Sequence, residues 1–128
     1  MKLNLDCIRH ILLHMENCAY GETIYPNQLY PALPNYTSDE IDYSILKLHE
    51  AGFIQATIEK YIDGTIDIKI HDITYNGHQF LANIHENKIW SATKTVMGKI
   101  GATSIQAATE IATGVVTELI KATLFPLP

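Results

Sequence analysis

Residues 37–71 read TSDEIDYSILKLHEAGFIQATIEKYIDGTIDIKIH, and this stretch decides the fold. Thr37 stands where its hydroxyl can accept the backbone N–H three residues on. Glu40 stands where its carboxylate can return the bond to Thr37, the reciprocal pattern of a capping box. Ile41, Ile45, Leu48 and Ala51 then recur at three- and four-residue steps and lay one apolar stripe along a helix. Gly52 follows where a helix end favours a left-handed residue with no Cβ. Residues 53–62 read as a strand, Asp63-Gly64 as a two-residue type I′ turn with positive φ at both positions, and residues 65–71 as the returning strand. Ile66, Ile68 and Ile70 alternate there with Asp67, Lys69 and His71, so the isoleucines face a core and the others face water. A short capped helix feeding a two-stranded ribbon is the centre of a winged helix-turn-helix.

The flanking residues extend that pattern. Asn4 caps a helix running to about residue 17, with Leu5, Ile8, Leu12 and Met15 inward. Residues 21–25 read as a short strand, and Pro26 starts a second short helix with Leu29 and Leu33 inward. The order helix, strand, helix, helix, strand, strand predicts an α+β fold: a winged helix-turn-helix followed by C-terminal helices. After the ribbon, Thr74 caps a helix with Tyr75, Phe80, Leu81 and Ile84 on its apolar face. Asn87 breaks it, the next helix uses Ile89, Trp90, Val96 and Met97, and Gly98 and Gly101 mark a hinge.

Thr103-Ser104-Ile105-Gln106 reads as another capping box, opening a helix striped by Ile105, Ala108, Ile111, Ala112, Val115, Leu119 and Ala122. Val116 and Ile120 widen that face beyond one stripe, and so wide a face must bury against the first helix or a second copy. A homodimer through this helix is the expectation, with Ile105, Ile111, Val115, Val116, Leu119 and Ile120 as its contacts. A membrane-surface helix fits less well, because the polar face is rich in threonine and poor in cations. The expected organisation is a winged-helix domain over residues 1–86, a helical extension over 87–124 that packs on it or dimerises, and a tail over 125–128.

At 128 residues the chain is one domain of ordinary size, and 47% hydrophobic against 18% charged residues fits a globular rather than a disordered protein. The formal net charge of -5 arises from 14 acidic and 9 basic residues, a balance that argues against a strong electrostatic grip on nucleic acid. Cys7 and Cys18 sit roughly 16 Å apart along one helix axis, too far to bridge, and unpaired cysteines fit a reducing cytoplasm. No signal peptide and no membrane-spanning run is read, so the expected location is cytoplasmic.

Asp6-x-x-Arg9-x-Ile11-Leu12, Leu48-His49-Glu50-Ala51-Gly52-Phe53-Ile54, Ile73-Thr74-x-x-Gly77-His78-x-Phe80-Leu81 and Ile89-Trp90-x-x-x-Lys94 form a further pattern. Together they resemble the domain-of-unknown-function 2513 family, small proteins of Gram-positive bacteria, their phages and prophages. The resemblance covers residues 1–120, and the block 73–94 is its specific part. It implies a winged-helix fold and a mobile-element setting, and it supplies no reaction, cofactor or catalytic residue.

His10 and His14 have a metal-capable spacing, but Asp6 and Cys18 lie too far along the axis to complete one tetrahedron with them. The pair also lacks the glutamate of a zinc-protease helix, so solvated or interface histidines are the better reading. His78 and His85 share one helix face and read as structural or partner-contacting. Ser38, Ser44, Ser91 and Ser104 have no histidine and acid at a telling spacing, and Asp39, Glu40 and Asp42 complement a helix dipole. Trp90 reads as a core anchor. No catalytic, metal or cofactor site is therefore expected.

A DNA-reading winged helix needs Arg, Lys, Asn or Gln on the outward face of the helix that enters the groove. Here that face presents Ser38, Asp39, Glu40, Asp42, Tyr43, Lys47 and Glu50, and the wing sets Lys60 and Lys69 against Glu59, Asp63 and Asp67. The first functional expectation is a non-enzymatic interaction module that acts on a protein partner. Its contact candidates are Ser38, Asp39, Asp42, Tyr43, Lys47, Lys60, Tyr61 and Lys69. The alternative is a DNA-binding transcriptional regulator, kept open by Lys88, Lys94 and Lys99 after the wing.

Overall fold

In the computed structural model, which describes residues 1–127, Asn4 accepts the Cys7 backbone N–H and opens α1 (Leu5–Glu16). Pro128, the last residue of the expected tail, lies outside the described residues. Pro26 begins α2 (Pro26–Ala32), where its missing N–H costs nothing. Thr37 caps α3 (Ser38–Glu50): its hydroxyl accepts from Glu40 N–H at 3.1 Å, and the Glu40 carboxylate accepts from Thr37 N–H at 3.1 Å. Gly52 follows at φ +76°, and β1 (Ile54–Lys60) pairs antiparallel with β2 (Ile66–Ile73). The protein is α+β, with six helices and one two-stranded hairpin among the described residues.

The chain divides into two compact units, Met1–Gln79 and a second that begins at Phe80, with the division falling inside α4 (Tyr75–Ile84). In the first unit α1 and α2 pack on α3, and all three helices close over one face of the ribbon. Ile8, Ile11, Leu12, Leu29, Ile41, Ile45, Leu48, Ile68 and Ile70 form its core. The expected strand over residues 21–25 reduces to a single antiparallel bridge, Ile24 to Ile70, with N–H···O distances of 2.9 and 2.8 Å.

The structure departs from the sequence expectation at several positions. Ala51 is exposed because it is the C-cap, one residue past the last helical turn, where the stripe no longer meets a neighbour. Ile66 is 45% exposed, because the ribbon tip runs out beyond the helices that cover Ile68 and Ile70. The turn is not type I′: only Gly64 has positive φ, at +89°. Tyr61 N–H reaches Thr65 O at 2.9 Å and Gly64 N–H reaches Tyr61 O at 3.0 Å, which makes Ile62-Asp63-Gly64 a three-residue loop. Asp63 instead accepts from Thr65 N–H and Oγ1, so its role is side-chain bonding rather than a strained backbone.

Thr74 ties the ribbon to α4. Its hydroxyl donates to Gly52 O at 2.6 Å and accepts from Gly77 N–H at 3.1 Å, while its own N–H donates to Phe53 O at 3.0 Å. Gly77 is buried in that junction. Tyr75, expected on the apolar face, is 77% exposed, being the first residue after the cap and off the buried face.

In the second unit α5 (Asn87–Ile100) ends at Gly101, left-handed at φ +71°, and α6 (Ile105–Leu124) is capped by Ser104, which accepts from Ala107 N–H at 3.0 Å. The cap is thus Ser104 and not Thr103, and Gly98 lies inside α5 rather than at a hinge. Trp90, Thr93 and Met97 of α5 and Ala108 and Ala112 of α6 are buried, and the two helices pack together. Val96 is 37% exposed, because the buried face of α5 follows 90, 93 and 97 and leaves 96 at its margin. On the polar side of α6 the hydroxyls of Thr109, Thr113 and Thr117 donate to carbonyls one turn back, so the threonines are satisfied within the helix.

Candidate functional site

The outward face of α3 is built from residues that hold the fold and residues that do not. Glu40 belongs to the first kind: besides closing the cap it accepts from Asn4 Nδ2 at 2.9 Å. The Asn4 hydrogen bond, followed by the Thr37 backbone bond, holds its carboxyl below the ordinary value. Asp42 also holds the fold, accepting from Tyr30 O–H at 2.6 Å. Burial raises the Asp42 carboxyl and Asp39 adds to that, while the Tyr30 bond works the other way. Burial, then the Asp42 hydrogen bond, pushes Tyr30 up to about 12. These two acids therefore pin α3 to Asn4 and to α2.

Ser38 and Asp39 are exposed on the first turn of α3. Further along, Lys47 Nζ lies 5.2 Å from the Tyr43 ring centroid and 2.9 Å from Glu50 Oε2, so Tyr43, Lys47 and Glu50 form one continuous patch.

The register of the ribbon separates its two lysines. Ala56, Ile58 and Lys60 pair with Ile70, Ile68 and Ile66 on the inner face, whereas Thr57 and Glu59 pair with Lys69 and Asp67 on the outer one. Lys60 and Lys69 thus lie on opposite faces and form no common cationic surface. Tyr61 donates to Glu59 Oε2 at 2.9 Å on the outer side. Across α2, α3 and the ribbon the cations are Lys47, Lys60 and Lys69. The acids there are Asp39, Glu40, Asp42, Glu50, Glu59, Asp63, Asp67 and Asp72, eight against three.

A groove of about 430 Å³ runs between the second half of α3 and the inner face of the ribbon, lined by Leu46, His49, Glu50, Ile58 and Lys60. Leu46 and Ile58 are not among the contact candidates expected from the sequence. Their signal is that Leu46 is apolar yet out of phase with the stripe Ile41, Ile45 and Leu48.

Elsewhere in the first unit, His10 Nδ1 lies 2.6 Å from the Tyr36 hydroxyl, which joins α1 to the segment before α3. His78 is exposed and lines a pocket of about 210 Å³ that includes Cys18, Tyr20, Ile24 and His71. Cys7 and Cys18 are both free, Cys7 buried and Cys18 half-buried, and burial raises both thiols. Among the described residues no three His, Cys, Asp or Glu side chains gather as metal ligands, and no helix is long and apolar enough to cross a membrane.

In the second unit Ile105, Ile111, Val115 and Val116 are half-buried, whereas Leu119 and Ile120 are exposed by 38% and 52%. At about 30 Å, α6 outreaches the roughly 21 Å of α5 by about two turns. The apolar end of α6, Leu119, Ile120 and Leu124, and the following Phe125 remain in water. Lys88 and Lys99 stand eleven residues apart on one side of α5, and Lys94 turns away with Nζ 5.9 Å from the Trp90 ring.

Two comparisons place the chain among known sequences. An uncharacterized protein of Haemophilus influenzae (strain ATCC 51907 / DSM 11121 / KW20 / Rd) is 25% identical over 122 residues, which cover 94% of this chain and 99% of that one. No solved structure matches. The sequence profile described as "Hypothetical protein (DUF2513)" matches residues 2–104, including the Ile73–Lys94 block, and the chain belongs to this domain-of-unknown-function family.

Proposed function

We propose that this protein is a non-enzymatic winged-helix interaction module whose first unit binds a protein partner through α3 and the ribbon. The order α1, bridged Ile24, α2, α3, β1, β2 supports a winged helix-turn-helix, with α2 and α3 as its helical pair and the ribbon as its wing. The observation that carries the functional reading is the charge on those elements: three cations, Lys47 on α3 and Lys60 and Lys69 on opposite ribbon faces, against eight acids. A phosphate backbone is repelled by such a surface, whereas a protein surface of opposite charge is attracted. Asp39, Tyr43, Lys47, Lys60, Tyr61 and Lys69 are the accessible contacts; Ser38 lies beside them, and Asp42 acts by holding Tyr30. The phage or prophage setting and the cytoplasmic location implied at the sequence level belong to the same proposal.

The second unit serves as a homodimer contact in this reading. Leu119, Ile120 and Leu124 continue the apolar face of α6 past the end of α5, and Ile89, Val116 and Thr123 complete a groove of about 360 Å³ beside them. A second reading, a DNA-binding transcriptional regulator, is favoured by the exposed lysines of α5, which a dimer would double. Binding of mixed-sequence duplex DNA across a salt series separates the two. The interaction-module reading expects no micromolar binding near physiological salt. Micromolar affinity that falls steeply with salt overturns it.

A further inference from the structure

We propose that the protein partner adds to the ribbon as a further strand, laying an extended segment along the open edge of β1 in the groove beside α3. This rests on the protein-binding reading of the first unit and names how the partner is held. In an antiparallel ribbon, residues that bond across to the neighbouring strand alternate with residues whose N–H and C=O point away from it. Ile70 fixes the phase. It exchanges both backbone bonds with Ile24, so its own groups, and those of Ala56 opposite it, point out of the ribbon. At the far end the Tyr61 N–H bond to Thr65 O marks that pair as a bonded one, in the same phase. Thr57 and Glu59 therefore bond to β2, while Ala56, Ile58 and Lys60 turn their N–H and C=O groups to the outer edge.

The two edges of the ribbon differ. Ile24 occupies the β2 edge, whereas among the described residues no backbone group bonds to the outward groups of β1. The bulge at Gln55/Ala56 falls at the base of this run, and no proline interrupts it. The groove of about 430 Å³ takes its walls from α3 and β1 and none from β2, so it follows the open edge. Half-buried Leu46 and Ile58 offer an incoming strand an aliphatic contact on its inner side. An extended peptide matches both features, a row of alternating donors and acceptors and an aliphatic wall. A helix uses its backbone groups internally and a phosphate backbone carries no N–H, so neither matches the edge.

The test pans a displayed library of random 12-residue peptides against the full chain. The winners are then synthesised and their binding is measured by fluorescence anisotropy. The expected winners share a proline-free run with apolar residues at alternate positions. Methylating their backbone nitrogens one at a time should weaken binding about tenfold at every second residue of that run and leave it unchanged between, because only alternate N–H groups meet β1. On the protein, Lys60→Pro removes an outward N–H and no bond to β2. It should weaken the winners about tenfold, whereas Lys60→Ala binds them as the native chain does. Circular dichroism checks that Lys60→Pro folds, and the methylation series, run on the native chain, stands independently of it. Winners with no two-residue period in that series, or no winners at all, overturn the added strand. A native dimer that dissociates with Lys60→Pro puts a second copy on the edge and overturns it too. Winners lost with Asp39→Ala but not with Lys60→Pro overturn the added strand and leave the protein-binding reading standing, whereas micromolar, salt-sensitive DNA binding overturns that reading itself.

Discussion

Replacing Gly77 by alanine tests the junction that fixes the ribbon against α4. A Cβ at this position would lie 2.1 Å from the Phe53 carbonyl oxygen and 2.7 Å from Ile73 Cγ2. Neither neighbour can swing away freely. The Phe53 carbonyl is backbone and already accepts the Thr74 N–H at 3.0 Å, and Ile73 is a buried, β-branched strand residue. Overpacking of this kind costs roughly 1–3 kcal/mol, and a backbone obstacle places the cost near the upper end. Alanine's better helix propensity returns about 1 kcal/mol. The net is a loss of about 2 kcal/mol, or a fall of about 1 M in the urea midpoint for a domain of this size, read by circular dichroism. Gly114 is the internal control: it lies inside α6 with nothing within 4 Å of a built Cβ, so Gly114→Ala should gain up to about 1 kcal/mol. A Gly77→Ala chain as stable as the native one, or two glycine variants shifting in the same direction, refutes the reasoning.

Two further outcomes follow from the same geometry. The folded state holds the Glu40 carboxyl below its ordinary 4.5, so its contribution is complete above that value and is lost as pH falls through the lower, folded one. Glu40→Gln removes the ionisation, and the fall of Tm between about pH 5 and pH 3 should become shallower than in the native chain; an unchanged or steeper slope rejects the assignment. Charging the end of α6 with Ile120→Glu and Leu124→Glu, both on exposed positions, should halve the mass seen by light scattering without loss of helix signal. A native chain that already runs as a monomer contradicts the dimer contact.

The parts of the fold that were legible beforehand are those decided within a few residues. Asn4, Thr37 and Glu40 cap their helices, Gly52 takes the left-handed position after α3, and Thr74 opens α4 as their local patterns imply. Periodicity names the side of an element that faces a core, but not how far the covering element reaches. That is why Ile66 and Leu119 keep the right phase yet emerge into water. The loop at Asp63-Gly64 was not legible locally, because the Asp-Gly pair is shared by two loop lengths and the Asp63–Thr65 bonds favour the longer one. Charge on α3 was countable in the sequence, but the work done by each acid was not. Asp42 meets Tyr30 twelve positions away and Glu40 meets Asn4 thirty-six away, and no local spacing signals either pairing. The same holds for the groove, whose walls come from α3 and β1.

The central claim is that acid on α3 and the ribbon keeps this scaffold away from phosphates, and reversing that acid tests it most directly. Anisotropy of a labelled mixed duplex near 0.15 M salt would be compared for the native chain and for Asp39→Lys combined with Glu50→Lys and Asp67→Lys. The account predicts that the native chain leaves the duplex unbound at tens of micromolar, and that the reversed chain binds it with a steep salt dependence. Native binding at micromolar concentration, with no gain on reversal, would contradict it.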